Sequence, residues 1–276
     1  MISIVICTSL KRDLSDLLCS AVQSGCGEIL LIGDEGRSLP QHEAMSDPRV
    51  RALTGPPDLA AKRNIALRES GAEVVAYIDD DALLSEGWYE ALESAFDREE
   101  VGVATGPSIL PDDATYWERV SQIVMWSTQY SRKRYTFGQG GFVEWWNVIG
   151  ANFAFRRVPM LSLGGCPTQF LAQGDDMAMA WKMEQAGWRI YYDPRMYVFH
   201  RPHSFRAQLV QIFRFGKAAK RLERAGIRYP ERDKAYYWFV PVYVLFAVAY
   251  LVGNLKETVF GRKPAEHDSS EPPAAP

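Results

Sequence analysis

Val74-Val75-Ala76-Tyr77-Ile78-Asp79-Asp80-Asp81 is the stretch on which the reading of this chain turns. Five apolar residues in a row, β-branched at three positions, suit a strand buried on both faces of a parallel sheet. The three carboxylates that follow repel one another, which costs free energy unless a cation or several hydrogen bonds offset it. Open parallel sheets bind ligands at the carboxyl ends of their strands, so the acidic cluster lies at the ligand-binding rim. Mg²⁺ or Mn²⁺ suits such oxygen donors and a diphosphate. The plainer reading is that the acids only start the helix that follows, since helix N-termini favour negative charge. A lone acidic triplet does not separate the two.

Outward from it, the spacing predicts strands at Ile2 to Cys7, Glu28 to Ile32, Arg49 to Leu53 and Val101 to Thr105. Amphipathic helical spacing runs through Leu14 to Val22, Leu59 to Ala66 and Trp88 to Phe96. Such alternation predicts an α/β fold, a mostly parallel Rossmann-like sheet flanked by helices. The strand ends are polar throughout: Thr8, Ser9, Lys11 and Arg12 after the first, Asp34 and Glu35 after the second.

Further along, Thr115 to Tyr130 reads as a helix and the basic, glycine-rich Ser131 to Gly141 as a mobile loop. Phe142 to Arg156 reads as strands. A helix from Asp175 to Ala186 closes on Gly187, and strands Arg189 to Tyr192 and Tyr197 to His200 follow.

Several residues could carry chemistry. Asp175 and Asp176 open a helix behind Gly174, where the dipole keeps a carboxylate ionised and able to act as a general base. In isolation, simple capping is the plainer explanation of the pair. His200 could ligate a metal or donate to phosphate, with His203 behind it, although a histidine at a strand end is more often structural. Arg63 and Asn64 could hold a donor's phosphates or ribose, against solvated helix face. Trp145 and Trp146 could form a sugar platform, although tryptophans in such a run are more often core.

The net charge of -3 gives no field for coating nucleic acid, and no nucleic-acid partner is expected. Cys7, Cys19, Cys26 and Cys166 form no metal-knuckle or dithiol spacing, so reduced thiols in the cytosol are expected. Ile2 to Cys7 is too short for a signal-peptide core. From Arg201 to Lys234, ten cations against three acids leave +7, beside an apolar helical face of Phe205, Leu209, Ile212, Phe213 and Leu222. That pattern reads as a basic amphipathic helix on a membrane surface, with about 1 kcal/mol per cation near anionic lipid. Ala235 to Leu255 is an uncharged run of 21 residues. As a helix it reaches roughly 31 Å, enough to cross a bilayer. Tyr236, Tyr237 and Trp238 crowd one end, with Arg232 and Lys234 outside it. Pro241 interrupts the run, leaving open a kinked span, a re-entrant segment or a helix buried in a homodimer. Pro264 to Pro276 reads as disordered.

Taken in order, these pieces resemble glycosyltransferase family 2, whose members are mainly inverting enzymes of the GT-A fold. The resemblance covers Ile2 to Arg206 and rests on Thr8, Arg12, Asp34, Ala61-Lys62-Arg63-Asn64 and Ile78-Asp79-Asp80-Asp81. It continues through Gly150-Ala151-Asn152, Arg156, Gly164-Gly165, Gly174-Asp175-Asp176, Gly187-Trp188-Arg189-Ile190 and His200.

The resemblance implies a catalytic domain over 1–203, a nucleotide-binding half at 1–106 and an acceptor-binding half at 107–203. The basic helix at 204–234, a hydrophobic segment at 235–258 and a tail at 259–276 would follow. It implies a nucleotide-diphosphate-sugar donor held by Thr8, Ser9, Arg12, Asp34, Arg63, Asn64, Asp79 and Asp80. It implies Mn²⁺ or Mg²⁺ on Asp81, Asp79 and His200, with Asp176 as base beside Asp175. Trp145, Trp146 and Asn152 would contact a glycan or lipid-linked acceptor, at the cytoplasmic face of the cell membrane. Ala178 and Lys182 depart from the family's usual Asp and Arg, and Cys166-Pro167-Thr168 departs in the acceptor loop.

Two other functions compete. A sugar nucleotidyltransferase shares the fold type and acidic ligands, but usually has glycines that Thr8 to Arg12 lacks. A nucleotide-binding scaffold without chemistry would bind donor and not turn it over.

Overall fold

The structure is a computed structural model describing residues 1–119, 122, 139–168, 174–202, 204–228, 248–253 and 255–257. Its strands are β1 (Ile2–Cys7), β2 (Glu28–Asp34), β3 (Val50–Gly55), β4 (Val74–Asp79), β5 (Ala82–Leu84), β6 (Val101–Thr105), β7 (Ser108–Ile109), β8 (Gly141–Val143), β9 (Asn152–Arg156), β10 (Arg189–Tyr192) and β11 (Val198–His200). The helices are α1 (Ser15–Gln23), α2 (Leu59–Glu69), α3 (Trp88–Phe96), α4 (Arg157–Ser162), α5 (Asp175–Gln185) and α6 (Phe205–Arg224).

Side-chain alternation along the strands builds two cores from one sheet. Ile4, Ile6, Ile29, Leu31, Ala76 and Ile78 point to one face and pack on α1 and α3 through Leu17, Leu18, Trp88 and Leu92. Val5, Leu30, Ile32, Val75, Tyr77, Phe153 and Phe155 point to the other and meet α2 and α5 through Ala60, Ala66, Met179 and Met183. Strands apolar on both faces are the consequence of helices covering both.

The sheet runs β3-β2-β1-β4-β9-β6-β10-β8. It is parallel from β3 to β4 and again between β6 and β10; β9 lies antiparallel between β4 and β6, and β8 antiparallel to β10. The mostly parallel α/β sheet expected from the sequence is therefore what forms. A second sheet, β5-β11-β7, is reached through the turn at Asp80 and Asp81, and pairs His200 with Ala82. That register carries a histidine from 119 residues away to the acidic turn.

The stretch from Phe142 to Arg156 differs from the strands expected. After β8 the chain makes a 3-10 turn over Trp145–Asn147 and re-enters the sheet at Asn152. Trp145 turns into the core, and its N–H donates to Glu184 Oε1 on α5 at 3.2 Å. Helix α4 was not anticipated from the sequence.

Residues 116–119 and 122 are helical, within the helix read from Thr115 to Tyr130; its other residues after 119 lie outside the described ones. So do Ser131 to Gly138 of the loop, His203, Arg232, Lys234, Tyr236, Tyr237, Trp238, Pro241 and the tail. Residues 248–253 and 255–257 are helical and lie against α6, where Ile212 packs on Ala249 and Tyr250. Among the described residues no helix is long and apolar enough to cross a membrane.

Asn152 ties β9 to α3 and to the segment that leads into β11. Its Oδ1 accepts from Trp88 Nε1 at 2.9 Å and its Nδ2 donates to the Met196 carbonyl at 2.7 Å, all fully buried. Asn152→Ala strands a buried donor and a buried acceptor, so it should lower unfolding free energy by about 3 kcal/mol in urea titration. An unchanged midpoint would contradict this bridging role.

Candidate active site and metal centre

The acidic turn and the end of β11 form the polar centre of the rim. His200 Nε2 lies 3.0 Å from Asp81 Oδ1. One donor atom each from Asp79, Asp81 and His200 lie within 4.8 Å of one another, the one such group among the described residues. Positive charge already gathers there: the Arg12 guanidinium bonds Asp81, and its Nε lies 3.8 Å from Asp80 Oδ1. Thr8 Oγ1 donates to Asp80 Oδ2 at 2.7 Å. Two carboxylates and an imidazole, close enough to share one ion and open to the cleft, fit a divalent cation such as Mn²⁺.

Asp79 keeps 39% of its side chain open to the cleft. Crowding by protein nevertheless pushes its carboxyl up to about 7; Arg63 and His200 oppose the rise, and Asp81 and Asp80 add to it. Burial works against the charged form of His200, but the hydrogen bond it donates to Asp81 and the charges of Asp81 and Asp79 outweigh it and raise its pKa. Protons and a cation therefore compete for the same atoms.

The donor-side rim is braced from α2. Asp58 caps that helix by accepting the Ala61 N–H at 2.7 Å. Lys62 is buried, and its Nζ meets Asp34 Oδ1 at 2.6 Å and the Thr8 carbonyl at 2.7 Å. One ammonium thus joins the ends of β1 and β2. Ser9 is half-buried beside Thr8, and Arg12 and Asp34 also reach the surface of the rim.

Arg63 and Asn64, read as donor contacts, are placed elsewhere. The Arg63 side chain is 4% exposed; its Nη1 meets Asp175 Oδ2 at 2.5 Å, and its Nη2 lies 3.9 Å from Asp79 Oδ1 and 3.4 Å from the Gly150 carbonyl. Its guanidinium lies over Phe153 at 4.9 Å. Burial works against the guanidinium charge, and the Asp175 and Asp79 carboxylates more than restore it, so its pKa is raised. Asn64 is spent on the backbone of Cys166, donating to its carbonyl and accepting its N–H, each at 2.7 Å. Arg63 is thereby enclosed, while Asn64 stays half-buried with its amide engaged.

The acid pair divides. Asp175, read as catalytic beside Asp176, is buried between Arg63 and the Cys166 thiol, which donates to Oδ2 at 3.3 Å. Burial and the Asp175 charge hold that thiol protonated. Asp176 is half-buried in the first turn of α5, and a Cβ added to Gly150 would come within 2.7 Å of Asp176 Oδ2. Glycine is what lets the carboxylate lie there.

Of the acceptor residues, Trp145 is core and Asn152 is fully buried, so neither offers a face to an acceptor. Trp146 alone of the three is partly exposed, edge-on to Trp145 at 5.6 Å. Lys62, Cys166 and Gly150 enter the sequence reading only as parts of the resemblance or as a departure from it, without a site role of their own.

A doubly wound sheet with an acidic turn after β4 and an acid pair opening α5 defines a GT-A fold. Solved structures agree: a mannosyltransferase from Pyrobaculum calidifontis, PcManGT, in complex with GDP-Man and Mn²⁺ has TM-score 0.59 at 16% identity, over 95% of this chain and 76% of that one. TarS 1-349 of S. aureus has TM-score 0.56 at 12% identity, over 95% and 75%. The family described as "Glycosyl transferase family group 2" matches residues 74–253, and the chain belongs to it. A glucosyl-dolichyl phosphate glucuronosyltransferase of Haloferax volcanii is 30% identical over 154 residues, 51% of this chain and 48% of that protein. The match spans about half the length of that relative.

Because Asp79 titrates near 7 and His200 above its ordinary value, Mn²⁺ affinity should rise from pH 6 to pH 8, as protons leave the ligands. Calorimetric titration checks it, with Asp81→Ala binding at least about tenfold more weakly. Equal affinity across that range would contradict the assignment.

Proposed function

We propose that this chain transfers a sugar, with inversion, from a nucleotide diphosphate sugar to a hydroxyl of a glycan or lipid-linked acceptor, using Mn²⁺ or Mg²⁺. The observation that carries it is a single guanidinium, Arg63, in reach of both Asp79 and Asp175. Through it the metal-ligating turn and the acid pair of α5 share one cleft.

Asp176 is the base. At the α5 N-terminus it is kept ionised, and over Gly150 it faces the rim. It takes the proton of the acceptor hydroxyl as that oxygen bonds the anomeric carbon; the bond from that carbon to the diphosphate breaks, and the nucleoside diphosphate leaves with the electron pair. Displacement from the opposite face inverts the centre. Asp79, Asp81 and His200 would hold the ion, whose chemistry when bound is to stabilise charge on the leaving diphosphate. Thr8, Ser9, Arg12 and Asp34 line the nucleotide side of 1–106, and Trp146 stands on the acceptor side of 107–203.

A lipid-linked acceptor is supported by the Haloferax relative, whose name carries dolichyl phosphate. Attachment to the cytoplasmic face of a membrane is supported by the C-terminal part. Gly253 approaches the Phe213 backbone so closely that a Cβ would meet its carbonyl at 1.9 Å. Glu257 is buried among Lys217, Arg221 and Arg224. With Ala249, Tyr250, Gly253 and Glu257 turned to α6, Val248, Leu251, Val252 and Leu255 are left on the outside, each about half exposed or more. An apolar stripe on the outer face, beside exposed Arg206 and Arg214, suits anionic lipid.

Asp176→Asn should lower turnover by at least about a hundredfold while donor binding stays within twofold. Wild-type turnover in that variant would remove its role. Release of pyrophosphate in place of nucleoside diphosphate would favour the nucleotidyltransferase, and donor binding without turnover the scaffold. Leu251→Glu with Leu255→Glu should abolish flotation of the full chain with phosphatidylglycerol vesicles. Unchanged flotation would contradict the stripe's role.

A further inference from the structure

Arg63 is a buried cation with two unequal anions. Nη1 is in close contact with Asp175, Nη2 is at the edge of contact with Asp79, and Nε finds no acceptor. Stacking over Phe153 and Tyr77 fixes the plane of the guanidinium but leaves its charge shared. A cation bound at Asp79 would take that carboxylate's charge and leave Asp175 as the sole ionic partner within reach. Conversely, anything that weakens Asp175 as a partner turns Arg63 toward Asp79, where it opposes the cation.

We propose that Arg63 is a positioning residue that couples cation binding at Asp79 to the placement of the Asp175–Asp176 turn. Cation binding on the donor side tightens Arg63 on Asp175, and Asp175 begins the helix whose next residue lies over Gly150. The acceptor-side base is thereby set when the donor-side cation arrives. By linkage the effect is reciprocal: Asp175, which is not a metal ligand, contributes to metal affinity through Arg63. Asn64, holding the loop at Cys166, and the Cys166 thiol on Asp175 Oδ2 complete the mount.

This inference rests on the metal site proposed above, and the experiment separates the two. Mn²⁺ affinity of the full chain, without donor, is measured for the wild type, Asp175→Asn, Arg63→Met, their double variant and Asp81→Ala, with folding checked by thermal melts. Asp175→Asn should weaken Mn²⁺ about tenfold, and the same substitution in the Arg63→Met background should change it less than about twofold. Equal weakening in both backgrounds would mean simple loss of a negative charge and would overturn the coupling, as would no weakening at all. Wild-type affinity in Asp81→Ala, or no binding by the wild type, would overturn the metal site itself and the coupling with it. Should the Asp175 or Arg63 variants not fold, the Nε–H resonance of Arg63 in wild-type protein serves instead. Saturation with diamagnetic Mg²⁺ should shift it, and not in Asp81→Ala; an unmoved resonance at saturation overturns the proposal.

Discussion

A guanidinium buried between two carboxylates is the constraint around which the cleft is organised. Desolvating Arg63 carries a penalty of several kcal/mol that close, well-directed anions offset, so Asp175 is held tightly against it and Asp79 stays within its reach. Asp79 ends a strand of the first half, and Asp175 opens a helix of the second. One side chain therefore holds the halves in register. The aromatic rings of Phe153 and Tyr77 fill the space around it that water would otherwise enter.

The same logic recurs at the rim. Lys62 neutralises Asp34 and holds the Thr8 carbonyl, Arg12 neutralises Asp80 and Asp81, and His200 completes the acidic turn. Three acids in a row are tolerated because three elements bring positive or donor groups to them: the end of β1 with Thr8 and Arg12, α2 with Arg63, and β11 with His200. What remains is a charged cleft in which burial, with the neighbouring acids, pushes the Asp79 carboxyl up to about 7.

Much of this was legible in the residues. The apolar run at Val74 to Ile78 and the neighbouring strands needed only hydrophobic patterning, since both faces of the sheet are covered. The pairing of Asp81 with His200 was legible only as an ordered set of pieces, because the contact spans 119 residues and is made by a second sheet. Arg63 and Asn64 were misplaced because charged and amide side chains on a helix read as surface. The available signal was periodicity: Arg63 shares the buried stripe of Ala60, Ala66 and Leu67. Asn152 failed similarly. It shares a face with Ala154 on a strand buried on both faces, where a polar group must find internal partners. Two adjacent tryptophans gave no hint of the 3-10 turn that sends Trp145 inward and leaves Trp146 at the edge.

The account stands or falls on whether the acidic turn after β4 and the first turn of α5 face one ligand. A crystal structure of the chain with Mn²⁺ and an intact nucleotide sugar addresses this directly. It should show the ion on Asp79, Asp81 and His200, with the anomeric carbon turned toward Asp176. A sugar whose anomeric carbon points away from α5, or an ion bound elsewhere, would contradict it.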